Sequence, residues 1–208
     1  MLLFVALQYQ ARRTGPGPSE DFLYRWEVFA GGLAQGVLTL GVVLALAWNG
    51  PVGELLGWRP PVGWGSAVGL GFALFVGVAL FAAAVDPILG ASEEQGFVPE
   101  AWDRERAAPF AANFVLAAGV FPVVEELLFR GVGYSLLTRF GASAAIVVTA
   151  VLFGLAHGLV NALPILVVFG LGLGWLRRRT ESVLPCVLAH AAFNAAALVG
   201  VVIVGERG

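Results

Sequence analysis

Hydrophobic positions in this chain come in long, nearly unbroken runs. They show neither the alternation of half-buried strands nor the one-sided stripe of a soluble helix. The runs fall at about residues 28–48, 62–85, 107–138, 144–159, 163–175 and 183–204. Crossing a bilayer takes about 20 residues of helix, and most of these runs approach or exceed that. Breakers separate them: Thr14–Ser19 (TGPGPS), Asn49-Gly50-Pro51, Gly57–Pro61 (GWRPP) and the turn at Gly141–Ser143. Trp26 and Trp48 stand at the two ends of the first run, where indole rings favour the membrane interface, and Trp175 reads the same way. Pro122 removes a backbone donor from the third run and should adjust or kink it. Gly65 and Gly69 form a small-xxx-small pair that permits close helix contact. The expected fold is therefore all-α, a polytopic membrane protein of about six transmembrane helices. Its expected divisions are an interfacial segment at 1–27, two membrane spans within 28–85, an acidic polar connection at 86–106, and a four-helix unit at 107–204.

Composition strengthens the membrane reading. The 208 residues are 59% hydrophobic and 12% charged, with a mean hydropathy of +0.85. A soluble chain of this size could not hide so much apolar surface, so the lipid bilayer is an expected partner. The net charge is −2, with twelve arginines and no lysine, which gives no electrostatic footprint for a nucleic acid. The lone Cys186 excludes an internal disulfide and a four-thiolate metal site. It reads as an apolar filler, since His190 four residues on is a weakly supported base for a thiol nucleophile. The start, MLLFVALQYQARR, has an apolar run too short to span and basic residues after that run, unlike a signal peptide. Arg139 and Arg177–Arg179 fall on one side of a six-span arrangement, and Arg12, Arg13, Arg25, Arg104 and Arg106 on the other, so arginine bias selects no orientation.

The candidate chemistry lies in the few polar residues of the last four runs. Glu125, Glu126, Arg130, His157, His190 and Asn194 sit in apolar sequence, where an ionisable side chain calls for a partner, an aqueous cavity or a function. Glu126 and Arg130, one helical turn apart, can simply bridge each other. Glu125 points about 100° away on the same helix, so Arg130 cannot serve both carboxylates equally. A second adjacent pair, Glu93 and Glu94, is flanked by Ser92, Gln95 and Gly96 and reads as a solvated loop face. Glu125 lies thirteen residues before Thr138 and His157 thirteen after Ala144. A hairpin joining these helices would put both side chains about 20 Å from its turn. His190 and Asn194 share one helix face, as do Phe153 and His157; Phe153 and Phe193 read as packing residues.

Two hydrolytic chemistries use this set. In one, a carboxylate activates water while His190 and Asn194 donate hydrogen bonds to a carbonyl oxygen gaining negative charge. In the other, Glu125, His157 and His190 hold zinc, which activates the same water. The spacing does not separate them, because the ligands come from different helices and no HExxH pattern is present. A noncatalytic membrane scaffold, an immunity protein or a transporter would also bury such a cluster.

Three segments carry a resemblance. Glu125-Glu126-Leu-Leu-Phe-Arg130 matches EExxxR, Phe153-Gly-Leu-Ala-His157 matches FxxxH, and His190-Ala-Ala-Phe-Asn194 matches HxxxN. In this order, on separate apolar segments, they resemble the CPBP family of CAAX-processing and bacteriocin-processing intramembrane proteases, also called Abi proteins and related to the CAAX prenyl endopeptidase. The resemblance spans about residues 107–200. It implies a membrane endopeptidase of a prokaryotic plasma membrane, acting on a membrane-associated peptide or protein. Within it, Glu125 would activate water with help from His157, and His190 with Asn194 would stabilise the oxyanion. Glu126, Arg130 and Phe153 would support the site. The family's metalloprotease label keeps zinc on Glu125, His157 and His190 as a candidate cofactor. The prenyl specificity of eukaryotic relatives does not transfer with the motifs.

Overall fold

Apolar segments without outside partners must satisfy their backbone internally, and here they do so as helices. The structure, a computed structural model, describes residues 21–95 and 102–205, so most of the expected N-terminal anchor lies outside the described residues. In chain order the helices are α1 (Trp26–Ala47), α2 (Val52–Leu56), α3 (Trp64–Leu89), α4 (Ala91–Gln95), α5 (Ala107–Phe140), α6 (Ala142–Ala156), α7 (Leu163–Thr180) and α8 (Leu184–Gly205). No strand occurs among the described residues. The all-α, membrane-type expectation therefore holds. By length and apolarity α1, α3 and α5 can each cross a bilayer, whereas α6 and the apolar stretch Leu184–Gly200 of α8 are shorter.

The interior is organised where α6 and α7 pack. Phe153, Leu173, Leu176 and Cys186 are fully buried there, with Phe129 and Phe169 beside them. Cys186 turns its thiol to the Leu173 carbonyl oxygen at 3.3 Å, in keeping with a filler. α3 presents Phe72, Leu80 and Ile88 outward, a surface suited to lipid. Gly65 and Gly69 do not use the close contact they permit among the described residues, because a Cβ at either would meet nothing within 4 Å. The close approach occurs instead at Gly170 of α7, where a Cβ would stand 2.9 Å from the Ala150 Cα of α6. Gly170→Val is expected to destabilise the protein by about 1–3 kcal/mol through overpacking. Gly69→Ala should leave stability unchanged, and unfolding midpoints in one detergent compare the two.

Helix α5 is not uniformly α-helical. Two π turns, Leu116–Val120 and Leu127–Gly133, enclose an α-helical segment at Phe121–Glu126. Pro122 lies just past the first π turn, so the expected adjustment takes the form of a widened turn next to the missing N–H. A widened turn rotates the helix on its N-terminal side relative to the helix on its C-terminal side. The side chains of Glu125 and Glu126 are aimed accordingly.

The expected polar connection is partly ordered as helix. α3 continues through Pro87, and Gly90 (φ 63°) closes it by donating to the Asp86 carbonyl oxygen at 2.8 Å. The Asp86 carboxylate then accepts from the Ser92 N–H and hydroxyl, both at 2.7 Å. Glu94, read as part of a solvated face, also has specific partners: its carboxylate accepts from the N–H groups of Val160 (2.7 Å), Asn161 (2.7 Å) and Ala162 (3.0 Å). α7 also runs past Trp175 to Thr180, which makes Arg177 part of the protein interior rather than of a connection.

Candidate active site

α5 supplies three of the polar residues, and the spacing along one helix dictates their different environments. Glu126 and Arg130 are one turn apart and both fully buried, with Arg130 Nη1 donating to Glu126 Oε1 at 2.8 Å. Arg130 Nη2 donates to the Gly170 carbonyl oxygen at 3.1 Å, and its guanidinium lies 4.5 Å from the Phe153 ring centre. The Arg130 carbonyl oxygen accepts from Arg177 Nε at 3.0 Å. One arginine thus fastens α5 to both α6 and α7. All of the polar load on Glu126 falls on Oε1; its Oε2 and Arg130 Nε have no hydrogen-bond partner among the described residues. A buried pair kept at that desolvation cost is sensitive to losing either member.

His190 of α8 joins this pair. Its Nδ1 lies 2.9 Å from Glu126 Oε1, and since a carboxylate oxygen here only accepts, the ring donates from Nδ1. The bond fixes the ring so that Nε2 faces Glu125, 4.0 Å from its Oε2. The imidazole is wedged between aromatic rings, with Phe153 at 5.5 Å and Phe169 at 5.4 Å between centroids. Glu125 differs from its neighbour in exposure. About a quarter of its side chain (26%) remains accessible, against none for Glu126. The carboxylate next to the buried network can therefore be reached from outside it.

His157 and Asn194 complete the set from two further directions. His157 ends α6, and its Nδ1 donates to the Phe153 carbonyl oxygen at 2.8 Å, leaving Nε2 as the free ring position. Its ring packs at 4.6 Å on Phe153, the same ring that touches His190 and Arg130. No hydrogen bond or ion pair joins His157 to Glu125 among the described residues; Phe153 instead links His157 to His190 and Arg130. Asn194, one turn beyond His190, donates from Nδ2 to the Ala117 carbonyl oxygen at 2.8 Å, within the first π turn of α5. Phe153, expected as a packing and supporting residue, is the common floor of the site. Phe193 packs in the layer behind it, stacked 4.8 Å from Phe169.

The donor chemistry suits zinc in part, since each histidine uses Nδ1 for a fixed acceptor and keeps Nε2 for another partner. The arrangement does not complete a metal site. Among the described residues no three His, Cys, Asp or Glu side chains gather closely enough to hold an ion, and Glu125, His157 and His190 are not such a group.

Sequence reading missed several contributors. Phe169 and Gly170 carry no polar signal, and Arg177 stood in a run of three arginines that resembled a surface connection. Its 6% exposure and its bond to the Arg130 carbonyl make it part of the support. Glu94 was visible as an acidic residue but not as a partner of backbone groups 66–68 residues away.

Comparison with known proteins adds one finding. Residues 107–196 match the family model described as type II CAAX prenyl endopeptidase Rce1-like. The matched segment takes in α5, α6, α7 and the part of α8 that carries His190 and Asn194. No curated protein and no solved structure matches the chain. Residues 107–196 of this helical membrane chain are thus similar to the Rce1-like family of CAAX-type intramembrane proteases.

Proposed function

We propose that the chain is an endopeptidase that cleaves a membrane-associated protein or peptide with water activated by Glu125. The observation that carries this reading is the contrast within the adjacent glutamates: Glu126 is fully buried and committed to Arg130 and His190, while Glu125 is partly accessible beside His190 Nε2. A carboxylate in that position can take a proton from water as its oxygen attacks the scissile carbonyl carbon. The carbonyl oxygen then carries negative charge. His190 faces that oxygen with Nε2 while Nδ1 stays on Glu126, so that an N–H at Nε2 would donate to it, and the second amide hydrogen of Asn194 supplies another donor. Collapse of the tetrahedral species breaks the C–N bond, and Glu125 returns its proton to the leaving amine. His157, with Nδ1 on the Phe153 carbonyl, offers Nε2 to orient the attacking water. Phe153, Glu126 and Arg130 hold these groups in place without touching the reacting atoms.

A noncatalytic scaffold or immunity protein would also use the Glu126–Arg130–His190 chain to join helices. It has no use for an accessible carboxylate 4.0 Å from the free nitrogen of His190. The test is cleavage of a peptide library by purified protein in lipid. His190→Ala and Asn194→Ala should each lower kcat by roughly 10²–10³-fold, the usual effect of removing an oxyanion donor, while the helical circular dichroism spectrum is kept. Cleavage unaffected by both substitutions would remove the oxyanion assignment, and solute uptake without cleavage would favour a transporter.

A further inference from the structure

The turn after His157 is held from outside its own hairpin. His157 ends α6, Gly158 takes a left-handed conformation (φ 67°), and Leu159 and Ala162 are buried, so residues 158–162 form a tight bridge into α7. The N–H groups of Val160, Asn161 and Ala162 come before or at the first turn of α7, where intrahelical acceptors are lacking. Glu94 meets all three. Oε1 takes the Val160 N–H, and Oε2 takes those of Asn161 and Ala162. Both oxygens and the negative charge are used, and the charge lies at the positive end of the α7 dipole.

The connection reaches the site at both ends of the bridge. Upstream lies His157, whose ring stands on Phe153. Downstream, α7 brings Phe169 against His190 and the Gly170 carbonyl to Arg130. Glu94 itself belongs to α4, reached from α3 through the Asp86–Ser92 contacts, so the clamp comes from a part of the chain before the segment that matches the protease family.

We propose that Glu94 is a positioning residue: by binding the N–H groups of residues 160–162 it fixes the turn after His157 and thereby the setting of the His157 imidazole. Its catalytic consequence rests on the proposed role of His157, but the positional claim stands apart from it. Glutamine can offer only one carbonyl oxygen to the three donors and brings an amino group against the others. Glu94→Gln should therefore let the turn shift. A misplacement on the order of 1 Å can cost up to roughly a hundredfold in rate, so kcat should fall about ten- to a hundredfold while KM stays within about twofold.

The chain has two histidines, His157 and His190, which makes the decisive readout simple. Full-length protein labelled with ¹⁵N-histidine in lipid nanodiscs is compared by NMR as wild type, Glu94→Gln and Glu94→Asp. The proposal expects the His157 ring nitrogens to shift or broaden in Glu94→Gln while those of His190, held by Glu126, stay in place. Glu94→Asp keeps the charge but shortens the reach, and should show the same selective change in smaller measure. It also provides the test if the glutamine variant does not fold. Unchanged His157 signals, or equal disturbance of both rings, would overturn the positional claim whatever the activity. A selective His157 shift with no peptide cleavage by the wild type would leave the clamp standing and defeat the protease mechanism instead.

Discussion

Glu125→Gln should abolish peptide cleavage while leaving the fold intact. The substitution is nearly isosteric, and the partly accessible side chain is not part of the buried Glu126–Arg130–His190 chain. What it removes is the proposed ability to take a proton from water and return it to the leaving amine. General-base catalysis contributes about 10²–10⁴-fold, and the loss of both proton transfers puts the expected fall in kcat at the upper end of that range. KM should change little, because the carboxylate acts on water rather than holding the substrate. Single-turnover cleavage in lipid checks the rate, and an unfolding curve checks that stability is retained. Cleavage by Glu125→Gln at near wild-type rate would transfer the base role to another group.

Glu126→Ala should have a different signature, a loss of stability first and of activity as a consequence. Glu126 and Arg130 are both 0% exposed, and removing the carboxylate leaves a guanidinium buried without its counter-ion. Breaking a buried pair in this way costs about 3–5 kcal/mol. The Gly170 carbonyl and the Phe153 ring remain around the cation, but neither carries a neutralising charge. The double variant Glu126→Leu/Arg130→Met removes both charges and should recover much of the stability lost in the single variant. It should not recover activity, since His190 Nδ1 no longer has the acceptor that turns Nε2 toward Glu125. Unfolding midpoints and cleavage rates for the two variants separate these effects. A double variant no more stable than the single one would contradict the account of Glu126 as the counter-ion of Arg130.

The two substitutions also mark what could be read from the chain and what could not. The apolar runs carried the helical, membrane-type fold, because a segment that cannot bond outward must bond along itself. The EExxxR, FxxxH and HxxxN spacings pointed to the cluster, since they set Glu126 with Arg130, Phe153 with His157 and His190 with Asn194 four residues apart. The different depths of Glu125 and Glu126 were partly legible from the angle between adjacent helical residues. The π turns at Leu116–Val120 and Leu127–Gly133 were not, because they are changes in backbone pairing with no side-chain period of their own. The partners of Glu94 were not legible for a related reason: they are three backbone N–H groups, and every sequence supplies those everywhere. Arg177 was misread because charge in a short run resembles surface, while here one guanidinium lies against the Tyr134 ring and bonds the Arg130 carbonyl. The Gly65–Gly69 pair, which permits close contact, has nothing packed on it among the described residues.

The shortest route to the central claim is to trace the oxygen atom. A peptide cleaved in one turnover by the lipid-embedded protein in H₂¹⁸O should acquire one ¹⁸O in its new carboxylate, at a rate set by Glu125. Cleavage whose first-turnover product carries only ¹⁶O would mean that a protein carboxylate, and not water, attacks the peptide, and would contradict the mechanism.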